Sequence, residues 1–250
     1  MRMAASVTAA LLIIGDEILT GRTKDKNIGY IAEYLTGIGI DLREVRIVPD
    51  VEEEIVGAVN ALRSRYTYLF TTGGIGPTHD DITADCMAKA FGVGIGYDPR
   101  AVAMLQERYQ PHELNEARMR MARIPDGADL IENPISKAPG FRIGNVFVMA
   151  GVPSIMQAML DDIAPKLQTG ARMIIETIEA EGLAEGIYAE GLSRIAAAHP
   201  DVSIGSYPSF SASGFRNQIV ARGKDPASVA HAAAAIRDLL GRLKSDRAPL

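Results

Sequence analysis

One cysteine, Cys86, is all that the 250 residues contain. An internal disulfide is therefore excluded, and the usage fits a reducing, cytoplasmic setting. Cys86 falls inside a predicted helix, where a core thiol is expected rather than a nucleophile. The four histidines, His79, His112, His199 and His231, show no metal-ligand spacing, and a cysteine zinc site has no ligands to draw on. Lys and Arg never cluster densely enough for a nucleic-acid surface, and the net charge is −5. No apolar run approaches the roughly 18 residues of a membrane span. A phosphate loop of the G-x-x-x-x-G-K-[ST] kind is missing, as is an early G-x-G-x-x-G fingerprint, so ordinary NTPase and dinucleotide-dehydrogenase chemistry is not expected. Arg2 and the apolar residues after it superficially resemble a leader, but the run ends in Gly15-Asp16-Glu17 without a small-residue cleavage site, and residues 8–14 read as a first buried strand.

What is present is an alternation of strands and helices. Residues 8–14, 41–48 and 66–70 read as strands. Residues 27–38, 51–63 and 82–91 carry apolar residues at helical spacing, for example Ile28, Ile31, Leu35 and Ile38. Helices at 100–109 and 113–122 follow, then a loop introduced by Leu130 and Ile131. A hairpin over 141–143 and 146–149 turns at Gly144-Asn145, and a helix spans 154–167. Repeated βα units predict an α/β fold, a mostly parallel sheet with helices on both faces, over residues 1–169. From 170 to 250 the order becomes strand 172–180, helix 184–198, strands 202–206 and 215–221, and helix 226–243. That βαββα order suits a small α+β domain. The polar tail from 244 is expected to fray.

The most informative stretch is Thr71-Thr72-Gly73-Gly74-Ile75-Gly76-Pro77-Thr78-His79-Asp80-Asp81-Ile82-Thr83. Three glycines and two adjacent carboxylates sit where a strand hands over to a helix, the place where open α/β sheets bind ligands. Glycines let backbone N–H groups approach a phosphate, and a helix start favours anions. Asp80 and Asp81 repel a bare phosphate, so a divalent cation between carboxylates and a phosphorylated ligand is expected. Pro77 and Thr78 belong to the same loop. His79 reads as an exposed loop histidine, with a ligand or acid–base role as the alternative.

A second carboxylate pair, Asp16-Glu17, follows the first strand within Gly15-Asp16-Glu17-Ile18-Leu19-Thr20-Gly21, and could face the first pair or cap a turn. Thr20 and Asn27 are candidate ligand donors or helix caps. Asp50 ends the second strand; Glu53, three residues on, makes a capping role equally apt. The loops Ser136-Lys137-Ala138-Pro139-Gly140 and Gly151-Val152-Pro153-Ser154 are candidate pocket walls, with Lys137 as the one nearby cation for a phosphate.

These motifs, GDEILTG at 15–21, TTGGIGPTHDDIT at 71–83, APGF at 138–141 and AGVP at 150–153, resemble the molybdopterin-binding (MoaB/Mog-like) domain, in the version that opens CinA-type competence/damage-inducible proteins. The similarity covers about residues 8–170. The segment Ser203-Ile204-Gly205-Ser206-Tyr207-Pro208 resembles the small KH-like piece that follows in that family. Two loops depart from the family pattern: SKAPG stands where G-T-A-P-G is usual, and AGVP where P-G-V-P is usual. No counterpart of the family's C-terminal nicotinamide-mononucleotide deamidase domain is seen, so deamidation is not expected.

The resemblance implies metal-dependent hydrolysis of a nucleoside-diphosphate sugar such as ADP-ribose, with Asp16, Asp50 and Asp81 as catalytic positions and a cation (Mg²⁺, Mn²⁺, Co²⁺ or Ni²⁺) held by Asp16, Asp80 and Asp81. Substrate contacts are expected from Gly15, Glu17, Thr20, Asn27, Gly73, Gly74, Gly76, Pro77, Thr78, Lys137, Gly140, Gly151 and Pro153. The alternative is binding or adenylylation of molybdopterin; a further one is a non-catalytic nucleotide-binding regulator. A small phosphorylated nucleotide or pterin is the expected partner, with neither nucleic acid nor membrane. The resemblance also implies a homo-oligomer, a dimer being favoured.

Overall fold

The computed structural model describes residues 6–211 and 214–245; the leader-like residues 2–5 and the end of the polar tail, 246–250, lie outside them. The chain divides into two compact units between Gly170 and Ala171. In the first unit the order is β1 (Thr8–Ile14), the one-turn α1 (Asp16–Leu19), α2 (Asn27–Gly37), β2 (Asp41–Val48), α3 (Glu52–Arg65), β3 (Tyr68–Thr72), α4 (Thr83–Phe91), β4 (Ile95–Tyr97), α5 (Pro99–Gln106), α6 (Glu116–Met119), β5 (Arg123–Pro125), β6 (Asp129–Ile131), β7 (Gly140–Ile143), β8 (Val146–Met149) and α7 (Pro153–Ile163).

The main sheet runs β2-β1-β3-β8-β7-β6. Pairing is parallel from β2 to β8 and antiparallel from β8 to β6. A continuous apolar run, TAALLII, forms β1 because a strand at the centre of a parallel sheet is covered on both faces. Successive side chains go to opposite sides. Ala10, Leu12 and Ile14 join Ile55, Val59 and Leu62 of α3 and Met87 of α4, whereas Ala9, Leu11 and Ile13 join Ile31 and Leu35 of α2 and Met156, Leu160 and Ile163 of α7. The α/β architecture with helices on both faces is thus as the alternation predicts.

Several local expectations need correction. The third strand begins at Tyr68 rather than 66, because the Asn145 side chain donates to the carbonyls of Arg63, Tyr66 and Thr67 and holds that stretch outside the ladder. The helix expected at 100–109 stops at Gln106. The one expected at 113–122 shrinks to α6, because Asn115 caps it by accepting from the Arg118 N–H and residues 120–122 tighten into a 3₁₀ turn. The chain then enters β5, which pairs with β4; both have three residues, too few for a readable period. The stretch from Leu130, expected as a loop entrance, is β6 at the sheet edge.

The second unit is β9 (Ile174–Glu181), α8 (Glu185–Ala198), β10 (Ser203–Tyr207), β11 (Phe210–Ser211), β12 (Gly214–Gly223) and α9 (Pro226–Ser245). Its antiparallel sheet places β12 between β10 and β9, with the two-residue β11 against the start of β12 as an addition to the expected βαββα order. Ile178 and Ala180 of β9 and Ile219 and Ala221 of β12 face Tyr188 of α8 and Val229, Ile236 and Leu240 of α9. Among the described residues, no helix is long and apolar enough to cross a membrane.

Candidate functional site

Register fixes the site. Ile14 pairs with Val48, Ile13 with both Ile47 and Thr72, and Thr72 with Met149. The carboxyl ends of β2, β1, β3 and β8 therefore finish level, and the segments after them, Pro49-Asp50, Gly15-Asp16, Gly73-Gly74 and Ala150-Gly151, share one rim of the sheet. Parallel strands direct their connecting loops to that rim, where such sheets form ligand crevices.

The loops are tied to one another. Asp50 accepts a hydrogen bond from the Asp16 N–H at 3.0 Å, which joins the ends of β1 and β2 and caps the first free amide of α1. The Thr20 hydroxyl turns back to the Asp16 carbonyl at 2.9 Å. Gly73, at φ 105°, passes so close to the end of β1 that a Cβ would overlap the Ile14 carbonyl oxygen. Gly74, at φ 66°, has no room for a Cβ against the Thr83 hydroxyl, and the Asp50 carboxylate stands just beyond, 3.6 Å from that Cβ position. Thr83 fastens the loop onto α4, its hydroxyl donating to the Gly73 carbonyl and its N–H to the Gly74 carbonyl, both at 3.0 Å. Gly151 packs on Gly73, and its carbonyl accepts from the buried Asn27 side chain at 2.8 Å. The Asn27 Oδ1, equally buried, has no partner among the described residues.

The carboxylates divide into two groups. Asp50 is pushed above its ordinary range first by burial and then by the charges of Asp16, Glu17 and Asp80; the Asp16 N–H opposes the shift. Asp80 is solvent-exposed and held low, chiefly by the nearby Thr78 side chain, then by its own backbone N–H and by His79. Asp81 turns elsewhere: its Oδ2 accepts from the Thr78 N–H at 2.8 Å and the Thr78 hydroxyl at 2.6 Å, and packs against Gly76. Among the described residues, no three His, Cys, Asp or Glu side chains form a ready ligand set for one ion.

The remaining expected residues are placed as follows. Lys137 adopts φ 61° and forms an ion pair with Glu107 at 2.6 Å, so its charge is already matched. Its loop is shaped by Asn133, which accepts from the N–H groups of Ile135 and Ser136 and donates to the Ala138 carbonyl. Gly140 lies inside β7, where a side chain would strike the Val148 carbonyl; it is a packing glycine. Pro153 starts α7 at a position that needs no N–H. His79 is exposed beside Pro77.

A cation that sequence reading did not single out, Arg120, also stands here. It lines the cleft beneath Gly74 and Gly76, and its Nη2 donates to the Asp81 carbonyl at 3.4 Å. Neighbouring Arg123 is neutralised by a two-pronged pair with Asp85, at 2.7 and 2.8 Å. No sequence signal pointed to Arg120, because it reaches the loop only through the chain reversal at α6.

Comparison with known proteins agrees with this architecture. Residues 10–169 match the family model described as a probable molybdopterin binding domain, and residues 173–247 match the FAD synthase middle domain. A protein of Caldivirga maquilingensis is 34% identical over 194 residues, covering 75% of this chain and 76% of its own. A CinA-like protein of Desulfosudis oleivorans is 33% identical over 209 residues, covering 79% of this chain and 51% of the longer relative. Among solved structures, the CinA protein of Thermoplasma acidophilum, described as of unknown function, aligns with a TM-score of 0.61 at 34% identity, over 65% of this chain and 99% of that one.

Proposed function

This chain belongs to the family of probable molybdopterin-binding domains, and on that premise we propose that it binds a phosphorylated pterin or nucleotide in the crevice at the carboxyl ends of β1, β2, β3 and β8. The observation that carries the proposal is the level termination of these strands, which brings the Gly73-Gly74 backbone beside Asp50 and the Asn27–Gly151 pair. In this reading the loop amides and the start of α4 hold the phosphate, and the unpaired Asn27 Oδ1 accepts a donor from the ligand. The test is calorimetric titration of the full chain with molybdopterin beside ADP-ribose and FAD, with and without added metal. Saturable binding of one of them supports the proposal; heat of dilution alone for all three removes it.

A second reading is carried by the charge around Asp50. Burial first, and then the charges of Asp16, Glu17 and Asp80, raise its carboxyl; a cation would relieve the second of these. The donors are oxygens, which suits Mg²⁺ or Mn²⁺, though the ligand set is incomplete without the ligand's own phosphate oxygens. A bound cation would neutralise charge on a phosphoanhydride and lower the pKa of a coordinated water. The chain's own part is to anchor the phosphates on Gly73 and Gly74 and to keep Asp50 positioned through the Asp16 N–H. Metal-dependent cleavage of ADP-ribose that persists unchanged in Asp50→Asn and Asp81→Ala variants would exclude this assignment.

A further inference from the structure

A second feature borders the crevice, and it bears on what kind of phosphorylated ligand fits. Beyond the glycine loop, the cleft containing Gly74, Gly76 and Asp81 shares Arg120 and Arg123 with an outer groove of about 440 Å³, whose walls include Pro77, Tyr97 and Glu116. That volume falls in the range of small-molecule sites. Arg120 stands at the junction. Among the described residues, its Nε is buried without any hydrogen-bond partner, and its Nη2 makes only the 3.4 Å contact to the Asp81 carbonyl. Among the described residues, no carboxylate pairs with it.

The other charges there are committed or peripheral. Arg123 is matched by Asp85, and Asp81 is occupied by Thr78. Glu116 belongs to the outer groove and does not line the inner cleft. A buried guanidinium nitrogen without an acceptor is costly, and a planar fork of donors matches phosphate oxygens. Tyr97 is 53% exposed at the outer end, an open aromatic face.

We propose that Arg120 is a specificity-determining residue: it holds the second phosphate of a diphosphate-linked ligand, whose remaining half lies in the groove toward Tyr97. The inference rests on the phosphate-binding role of the glycine loop. It would separate ligands by phosphate number, the loop amides taking the first phosphate and Arg120 the second.

The experiment titrates the wild-type full chain and the Arg120→Ala and Arg120→Lys variants with ADP-ribose and with AMP, at fixed Mg²⁺, and records the melting temperature of each. The expected result is at least tenfold weaker ADP-ribose binding in Arg120→Ala, partial recovery in Arg120→Lys, and AMP binding within twofold throughout. Equal losses for both ligands, or none for ADP-ribose, overturn the assignment of Arg120. Arg120→Lys keeps the charge and stem, so it decides the matter if Arg120→Ala fails to fold: unaltered ADP-ribose affinity in Arg120→Lys overturns a guanidinium-specific contact. Wild-type binding of AMP without ADP-ribose refutes the inference and leaves the phosphate loop standing, whereas binding of neither ligand removes the inference, and the phosphate loop with it only if molybdopterin and FAD also fail to bind.

Discussion

The close pass of Gly73 over β1 sets up a test of the whole rim. In Gly73→Ala the new methyl group meets the Ile14 carbonyl, with the carbonyl carbon only 3.2 Å away and the oxygen nearer still. The methyl is fixed to the backbone directly after β3 and meets backbone at the end of β1, so no side chain can rotate out of the way. A strained φ costs about 1–3 kcal/mol, and overpacking adds about 1–3 kcal/mol. The expected loss is their sum, roughly 2–6 kcal/mol. For a domain of this size each kcal/mol lowers the melting midpoint by about 2–4 °C. Gly92 supplies the control: it ends α4 at φ 66°, and a Cβ there would meet nothing within 4 Å. Gly92→Ala therefore meets only the backbone penalty, about 1–2 kcal/mol. Calorimetric unfolding of the two variants beside wild type measures the difference. If Gly73→Ala melts no lower than Gly92→Ala, the loop does not press on β1 as described, and the geometry of the rim is wrong.

Other consequences are checked more simply. Gly76→Ala meets only the Asp81 carboxylate, at 2.6 Å, so it should fold normally yet lose ligand affinity as Asp81 is displaced from Thr78; melting and titration together read this. Asp50→Asn retains an acceptor for the Asp16 N–H while removing a repelled charge, so stability should hold while any Mg²⁺-dependent gain in ADP-ribose affinity disappears, which calorimetry with and without the metal detects. The Cys86 thiol, pushed up to about 12 by burial, should react with iodoacetamide at pH 8 at least ~100-fold more slowly in the native chain than in urea, as followed by mass spectrometry. Glu44 is held below its usual range by the Tyr66 hydroxyl and then by Arg46. A lowered carboxyl stabilises the fold above its unfolded pKa, about 4.3, and loses that contribution as pH falls through the lower folded value. Acid unfolding of Glu44→Gln should accordingly show a shallower stability loss below about pH 4 than wild type.

Legibility in the sequence followed the length over which a physical pattern repeats. The TAALLII run and the Ile31–Leu35 and Ile55–Val59–Leu62 spacings are long enough to declare a two-face-covered strand and its helices, and from them the parallel sheet followed. The three-residue strands β4 and β5 have no such length; each exists only because the other is there to pair with. The site divides along the same line. Asp16, Asp50 and the glycines stand at or just after strand ends, so the rule for strand ends singled them out as candidates. What that rule could not supply was which way each side chain turns. Lys137, read as a phosphate contact, is matched by Glu107, and Asp81, read beside Asp16 as a cation ligand, is folded back on Thr78.

Arg120 shows why the missing cation had to come from elsewhere. It lies 39 residues from its contact at Asp81, in a segment whose local pattern reads as an ordinary helix. The Asn115 cap and the β4–β5 pairing help to bend that segment back toward the glycine loop. On the role proposed for Arg120, binding and reversal are coupled. A change that frees the reversal, such as Asn115→Ala, removes the cap acceptor for the Arg118 N–H, typically about 1 kcal/mol, without touching any ligand-contacting group. If Arg120 acts through its position, that variant should weaken ADP-ribose more than AMP, in the same sense as Arg120→Ala and to a smaller extent. An Asn115→Ala protein that loses both ligands equally would mean that the reversal supports the glycine loop itself rather than aiming the guanidinium.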